Sequence, residues 1–405
     1  MELNKVKAYS TDFVLNIFAT FLSVGTMQLV VLPQLARHLS PSDYGIMLTT
    51  TGFMNILISA FGNNLCNSRL RQQGKYSNKR IAGDYQLMLI ITVITSLICV
   101  ALFNVFLKED YISLVLPLAV ITVTGICKAY YLVTYRLSIN YKKNLIANIL
   151  SCVGYCTGGF LIVKYCKWPW VFLPADMLSL AYIYYSSTII REPIRKTELF
   201  YESTKVTLAL LIGGLIGNVT LYLDRFIIYP TLGSESVSTY ATAAWFSKSV
   251  LIVIAPITSV LLSYITAGKL KLNKKKYNYI CFILLVGVVI CWLTSLILAP
   301  IITGWMYPTL IDMARPYIGF ASLAVVLGIL GNFLSIMVFA YAPVMWQTII
   351  PVIKIMVYLI LGIILINVLG IVGMIVAVFV ANLLSNIILY FVAEKWVRED
   401  LFSTI

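Results

Sequence analysis

Residues 277–301 read YNYICFILLVGVVICWLTSLILAPI and contain no charged side chain. The hydrocarbon core of a bilayer is about 30 Å thick, and an α-helix needs about 20 apolar residues to cross it. Three consecutive lysines, at positions 274–276, mark the beginning of this run. The stretch is therefore predicted to be a transmembrane helix. The number of such apolar runs bounded by charged residues gives the number of membrane-spanning helices in the fold.

The same pattern recurs along the whole chain of 405 residues, of which 60% are hydrophobic and 11% are charged. Soluble domains carry about 25% charged residues, so lipid rather than water is the expected surroundings. The predicted spans are residues 11–36, 44–65, 84–107, 111–134, 145–163, 168–190, 205–229, 237–266, 277–301, 314–340, 345–369 and 371–396. Only α-helices and closed β-barrels satisfy their backbone polar groups in lipid. The sequence lacks the alternating pattern of barrel strands, so the spans are predicted to be helices. We predict an all-α integral membrane protein with about twelve transmembrane helices.

The distribution of lysine and arginine between alternate loops predicts the orientation of these helices. One set of loops, together with both termini, carries 21 of these residues, and the opposite set carries 5. Cytoplasmic loops are enriched in positive charge. Both termini are therefore predicted to lie in the cytoplasm.

A polar connection at residues 191–204 lies near the middle of the chain and divides the predicted helices six and six. The sequence therefore predicts two six-helix lobes, at residues 1–196 and 197–405. An even number of helices in each half makes the halves parallel repeats, an arrangement found in transporters. Leu39–Gly45 (LSPSDYG) and Leu232–Ala241 (LGSESVSTYA) form a short echo between the halves, although chance also explains so brief a match.

Six charged side chains fall inside the predicted spans and away from the span ends. Charge near the bilayer centre costs about 2.5–3.5 kcal/mol on insertion scales, so such residues usually face a cavity or a partner. The cations are Lys128, Arg225, Lys248 and Lys354, and the acids are Asp176 and Asp224. From the helical rise of 1.5 Å per residue, Lys248 and Lys354 lie roughly 12–13 Å from an interface, near the midplane. Asp224 is within reach of Lys248.

These charges allow two interpretations. The four cations outnumber the two acids, so a cavity lined by them would attract a phosphate or pyrophosphate, and we predict that they bind substrate. Asp176 and Asp224 are then ion sites or structural charge partners. Alternatively, the cations are paired structural charges or extend to an interface, a reading that suits Lys128 and Arg225 better because they lie nearer the ends of their spans.

Motifs of soluble enzymes are missing from the sequence. No phosphate-binding loop, GxSxG or HExxH motif occurs, and the eight cysteines have no CxxC spacing. We predict no catalytic residue, no metal site, no cofactor and no nucleic-acid partner, and the sequence leaves coupling to H⁺ or Na⁺ open. We interpret the net charge of +14 as favouring contact with an anionic membrane surface and binding of an anionic substrate.

Three short stretches resemble one family of transporters. Leu35–Gly45 (LARHLSPSDYG) resembles the first periplasmic turn of polysaccharide transporters, and Leu223–Ile228 (LDRFII) resembles the end of their seventh helix. Tyr135–Asn144 resembles the fourth cytoplasmic junction. In this order they are similar to the O-antigen or capsular repeat-unit flippases of the multidrug/oligosaccharidyl-lipid/polysaccharide (MOP) exporter superfamily.

The resemblance implies a two-lobed bundle with a central cationic cavity, like that of the multidrug (MATE) branch of the superfamily. It implies that undecaprenyl-pyrophosphate-linked oligosaccharide moves from the cytoplasmic to the periplasmic leaflet of the bacterial inner membrane by alternating access. Asp224 and Arg225 match the family motif, whereas the three lysines are inferred from their positions alone. Membrane lipids, the polysaccharide polymerase and the chain-length regulator are the further partners that it suggests.

Two other functions fit the sequence less well. A cation-coupled multidrug exporter of the same fold would need an essential buried acid, for which Asp176 is the candidate in the first half. A membrane polysaccharide polymerase would need a large outer loop or acidic catalytic residues at an interface, and neither is visible.

Overall fold

The computed structural model describes residues 18–19, 21–79, 81–107, 112–165, 167–266 and 274–398, and within these ranges all regular secondary structure is helical. The α-helices are α1 (Leu32–His38), α2 (Pro41–Leu57), α3 (Asn64–Lys79), α4 (Asp84–Phe106), α5 (Ile112–Tyr131), α6 (Val133–Leu137), α7 (Tyr141–Thr157), α8 (Val163–Tyr165), α9 (Leu173–Ser186), α10 (Phe200–Leu232), α11 (Ser234–Thr266), α12 (Lys274–Met306), α13 (Ile311–Tyr341), α14 (Val344–Leu369) and α15 (Ile371–Arg398). Three π-helical segments join or extend them: Met27–Val31 before α1, Ile58–Asn63 between α2 and α3, and Gly158–Ile162 between α7 and α8.

Nine helical stretches within the described residues are long and apolar enough to cross a membrane. They are Pro41–Lys79, Asp84–Phe106, Leu114–Leu137, Tyr141–Tyr165, Phe200–Leu232, Lys274–Met306, Ile311–Tyr341, Met345–Leu369 and Ile371–Val397. The predicted all-α, multi-pass membrane fold is confirmed by these stretches.

Three of the twelve predicted spans are not among the nine. Residues 11–36 lie partly outside the described residues. Residues 168–190 form a short 3₁₀ turn followed by α9, which has 14 residues. Residues 237–266 lie in α11, a helix of 33 residues of which several side chains are not described. The total of about twelve spans remains a prediction.

Helix ends extend further than the apolar runs from which the spans were predicted. The predicted span 44–65 is part of a helical stretch that runs from Pro41 to Lys79. Arg69, Lys75 and Lys79 therefore lie on α3. The hydropathy pattern, in contrast, predicts a loop between the spans 44–65 and 84–107. Hydropathy marks where a helix leaves lipid, but polar residues such as Arg, Lys and Gln continue a helix readily in water.

A single glycine separates the last two helices. Gly370 has a φ of 58°, in the left-handed region that favours glycine, and its amide donates to the Ile366 carbonyl at 2.9 Å. This geometry ends α14 at Leu369 and lets α15 begin at Ile371. The predicted break between the spans 345–369 and 371–396 is confirmed.

The chain packs as two compact units. The first contains residues 1–38 and 50–222, and the second contains residues 39–49 and 223–405. The beginning of α2 thus belongs with the second unit, and α10 contributes to both. The lobe boundary between residues 196 and 197 stays a prediction. It marks the proposed repeat of six helices in each half of the chain, whereas the two units are defined by which residues pack together.

In the first unit, α9 packs against α7 and α5, and α5 packs against α4 and the π-segment Ile58–Asn63. A small cluster of Tyr135, Ala147 and Ile183 is fully buried in this unit. Tyr135 and its neighbours therefore join α6, α7 and α9.

In the second unit, α13 packs against α11, α12 and α15, and α15 also packs against α14. Two asparagines of α15 reach the backbone of α13: Asn382 donates to the Ala324 carbonyl and Asn386 to the Leu327 carbonyl, each at 2.8 Å. Hydrogen bonds of this kind between helices help to hold transmembrane bundles together. The outer face of α12 is apolar and exposed, as at Ile297 with 68% exposure, which suits contact with lipid.

Candidate functional site

The end of α10 carries the charged pair at the centre of the predicted site. Asp224 is buried, and its carboxylate is ion-paired with the ammonium group of Lys248 on α11. The side chain of Asp224 is 4% exposed and that of Lys248 is 34% exposed. Asp224 therefore lies in the protein interior, whereas Lys248 retains partial access to the surroundings.

Arg225 has different side-chain partners from Asp224, the residue before it. Its guanidinium donates to the carbonyl of Leu48, at the beginning of α2, at 2.5 Å. Its backbone amide donates to the Asp224 carboxylate at 2.9 Å. Adjacent helical residues point about 100° apart, so the arginine and the acid do not neutralise each other through their side chains.

Two tyrosines that the sequence did not assign to the site complete this cluster. The ammonium group of Lys248 lies 5.6 Å from the centre of the Tyr240 ring, within the range of a cation–π contact. The buried hydroxyl groups of Tyr240 and Tyr358 lie within hydrogen-bonding reach of each other. Hydropathy treats tyrosine as weakly apolar, so only the packing of α10, α11 and α14 brings these residues together.

Lys354 lies on α14, one helical turn before Tyr358 and just after Pro351. Residues four apart share a helix face, so Lys354 and Tyr358 are neighbours. Lys354 is half-buried, and it forms no ion pair and no hydrogen bond with any described residue. Its positive charge is thus not balanced by an acid in the part of the chain that the structure describes.

Lys128 and Asp176 form a second ion pair, in the first unit. The ammonium group of Lys128 on α5 donates to the Asp176 carboxylate on α9 at 2.6 Å and to the Ser151 hydroxyl at 3.4 Å. Their side chains are 16% and 7% exposed. The ring of Tyr155 lies 5.8 Å from the same ammonium group. The predicted site residues are thus divided between the units: these two in the first, and Asp224, Arg225, Lys248 and Lys354 in the second.

A third buried ion pair involves Arg69, which the hydropathy pattern had assigned to a loop. Its guanidinium forms a two-pronged contact with the Glu192 carboxylate, at 2.8 and 2.5 Å, and donates to the Tyr130 hydroxyl at 2.8 Å. The pair lines a cavity of about 330 Å³ in the first unit. The sequence around it, Asn67-Ser68-Arg69-Leu70-Arg71, carries no signal that distinguishes Arg69 from its exposed neighbour Arg71.

The segment between α9 and α10 is bonded to the end of α3 and the beginning of α4. Asp84 accepts hydrogen bonds from the Thr197 amide at 2.6 Å and from the Tyr76 hydroxyl at 2.7 Å. Arg195 donates to the Ala82 carbonyl at 2.9 Å. This connection is therefore fixed within the first unit.

Among the described residues, no group of three His, Cys, Asp or Glu side chains could hold a metal ion. The chemistry available at these charged clusters is binding: ammonium and guanidinium groups for anions, carboxylates for cations or hydroxyls, and aromatic hydroxyls for hydrogen bonds.

The family model of the polysaccharide biosynthesis proteins matches residues 13–269, well over half of the chain. The chain belongs to the polysaccharide biosynthesis protein family. No curated protein sequence matches it.

Solved structures similar to this family member are transporters of the MOP superfamily. An inward-facing multidrug resistance MATE family transporter is similar with a TM-score of 0.65 and 13% identity, over 97% of this chain and 96% of the other. The lipid II flippase MurJ, in an inward closed conformation, has a TM-score of 0.58 and 16% identity, over 96% and 87%. A MOP superfamily transporter from Pyrococcus furiosus has a TM-score of 0.60 and 14% identity, over 97% and 96%. The polysaccharide biosynthesis protein described here therefore has the MOP transporter fold, as the sequence predicts.

Proposed function

We propose that the protein is a flippase for undecaprenyl-pyrophosphate-linked oligosaccharide repeat units of an O-antigen or capsule. It would carry them from the cytoplasmic to the periplasmic leaflet of the bacterial inner membrane by alternating access. Membership of the polysaccharide biosynthesis family and the MOP fold support this proposal. The protein would then be a transporter and not an enzyme.

The observation that carries the proposal is the uncompensated charge of Lys354. A cation inside a span is costly unless it has a partner, so a half-buried lysine without an acid among the described residues needs another anion. Lysine binds phosphate well as a point charge. The pyrophosphate of the lipid-linked substrate supplies such an anion.

The surroundings of Lys354 can extend this anion site. Tyr358, one turn away, and Tyr240, which its hydroxyl approaches, offer O–H donors. Lys248, which contacts the Tyr240 ring, is a further cation of that cluster, but Asp224 neutralises it in this structure. A proton on Asp224 would release the charge of Lys248 for the substrate, and this is how H⁺ coupling enters the proposal.

Arg225 and Lys128 are the remaining cations that we propose to bind substrate, the first in the second unit and the other in the first unit. Arg225, whose guanidinium donates to the Leu48 carbonyl, would contribute a cation in the second unit. Lys128 is neutralised by Asp176 and would bind an anion only after that pair opens. Membrane lipids surround the protein, and the polymerase and chain-length regulator are the proposed protein partners. We propose no cofactor.

Deletion of the gene, followed by analysis of surface polysaccharide and of lipid-linked intermediates, tests the function. We expect loss of the polymer with completed repeat units retained in the inner leaflet. Complementation with Lys354→Ala or Lys248→Ala should leave the polymer absent, whereas wild type restores it. Single repeat units accumulating outside would indicate a polymerase, and an unchanged surface with drug sensitivity would indicate an exporter.

A further inference from the structure

The first unit contains a cavity of about 210 Å³ beside the ion pair of Lys128 and Asp176. The π-segment Ile58–Asn63 forms part of its wall through Ile58 and Asn63. Single-turn π-bulges inside α-helices occur frequently at functional sites. The remaining wall is mostly apolar and comes from α2, α5, α7 and the beginning of α9.

Two polar side chains of this wall have hydrogen-bonding capacity to spare. The Asn55 amide, half-buried on α2, makes no hydrogen bond with another described residue. The Tyr155 hydroxyl on α7 likewise has no hydrogen-bond partner among the described residues. Because both side chains are half-buried at the cavity wall, their polar groups are free to bond a ligand or water inside it.

The described residues of the cavity wall carry no net charge. Lys128 and Asp176 are its charged members and are bonded to each other at 2.6 Å, and the other lining residues are uncharged. An ionised ligand would have to take one partner from this pair and leave the other charge buried and unpaired, which is costly. An uncharged ligand with several hydroxyl groups can instead donate to Asp176 and accept from Lys128 while the pair stays intact.

The size of the cavity limits what it can hold. A water molecule's share of liquid volume is about 30 Å³, so the cavity has room for about seven waters. A single sugar ring with its hydroxyl groups fits in this space. The Tyr155 ring offers an apolar surface for the ring face, while its hydroxyl and the Asn55 amide offer hydrogen bonds.

We propose that this cavity binds one uncharged pyranose ring of the transported oligosaccharide and rejects a ring that bears a carboxylate. The proposal rests on the proposed function, because an oligosaccharide substrate brings such rings to the protein. The cavity thus adds a sugar-binding site in the first unit to the anion site at Lys354.

The test uses the full-length protein in lipid nanodiscs and two matched probes, methyl β-D-glucopyranoside and methyl β-D-glucuronide. Binding is measured by saturation-transfer NMR titration. We expect the wild-type protein to bind the neutral glucoside at least tenfold more tightly than the glucuronide. No binding of the glucoside, or equal binding of both, would overturn the proposal.

Two variants locate the binding. Asn55→Leu keeps the size of the side chain and the charges, and should weaken glucoside binding at least tenfold. Asn332→Leu, at an exposed asparagine of α13 whose side chain has no described partner, is the matched control and should bind normally. Asp176→Asn leaves Lys128 uncompensated, so it should reverse the preference and favour the glucuronide. A glucoside affinity unchanged in Asn55→Leu would show that the ring binds elsewhere.

Failure of this proposal can be told apart from failure of the proposed function. A protein that flips lipid-linked oligosaccharide in proteoliposomes without binding the glucoside refutes the sugar site and keeps the flippase. A protein that binds the glucoside as expected but moves no lipid-linked oligosaccharide keeps the site and refutes the flippase.

Discussion

The ammonium group of Lys248 is ion-paired with the buried carboxylate of Asp224. Removing one partner of a buried pair typically costs about 3–5 kcal/mol, because the other charge is left unpaired. Lys248→Met should therefore lower the free energy of unfolding by roughly 2–3 kcal/mol, below that range because the lysine is one-third exposed. Denaturant titration of the purified protein in micelles measures this change.

The double variant Lys248→Met/Asp224→Asn is the control for this prediction. With both charges removed, most of the lost stability should return. A double variant as unstable as the single one would mean that Asp224 is stabilised by something other than Lys248.

The pair of Arg69 and Glu192 should matter for stability in the same way. Arg69→Met leaves the Glu192 carboxylate and the Tyr130 hydroxyl without their donor, so we expect a loss of about 3 kcal/mol. Lys75→Met, which breaks the exposed pair with Glu202, is the matched comparison on the same helix and should cost less than about 1 kcal/mol. Equal losses in the two variants would contradict the assignment of Arg69 to a buried site.

Gly45 permits a close approach between α2 and α11. The Ser42 and Ser234 hydroxyls lie 2.7 Å apart, and a Cβ atom at position 45 would overlap the Ser234 carbonyl. Gly45→Ala should therefore cost about 1–3 kcal/mol through overpacking. Gly74→Ala, on the exposed face of α3 with no atom near its Cβ position, should be neutral or stabilise by up to about 1 kcal/mol. Thermal unfolding of both variants in one detergent distinguishes them.

The predicted orientation can be tested without purification. A reporter enzyme that is active only in the cytoplasm, fused after Ile405, should be active, because the loops rich in lysine and arginine belong to the side of the termini. A reporter that requires export should be inactive at the same position. The reverse pattern would refute the cytoplasmic placement of the C-terminus.

Much of the fold could be predicted from the sequence because lipid imposes a simple rule of length and polarity on each span. Residues 277–301 and the turn at Gly370 illustrate this, since apolar length and a glycine alone locate them. The same rule fails at α3, where a helix continues for several turns beyond the lipid. There the end of the helix depends on contacts with residues 192–202, which are distant in sequence.

The charged residues could be found from the sequence, but not their arrangement. Lys128, Lys248 and Lys354 look alike in a hydropathy plot, whereas in the structure two are ion-paired and the third is not. Asn55, Tyr155 and Tyr358 gave no signal, because asparagine and tyrosine are common in membrane helices. Tyr240 was part of the short echo between the halves, but nothing in the sequence marked it as a site residue. Their importance arises from the neighbours that packing gives them.

The central claim is that the charge of Lys354 binds the pyrophosphate of a lipid-linked oligosaccharide. The most direct measurement is translocation of undecaprenyl-pyrophosphate-linked oligosaccharide in proteoliposomes that contain wild type, Lys354→Ala or Lys354→Arg. We expect at least a tenfold loss of rate in Lys354→Ala and substantial activity in Lys354→Arg. Unfolding of Lys354→Ala should be no easier than that of wild type, since the variant removes the cost of holding a half-buried charge that has no acid partner among the described residues. A Lys354→Ala protein that translocates at the wild-type rate would contradict the claim.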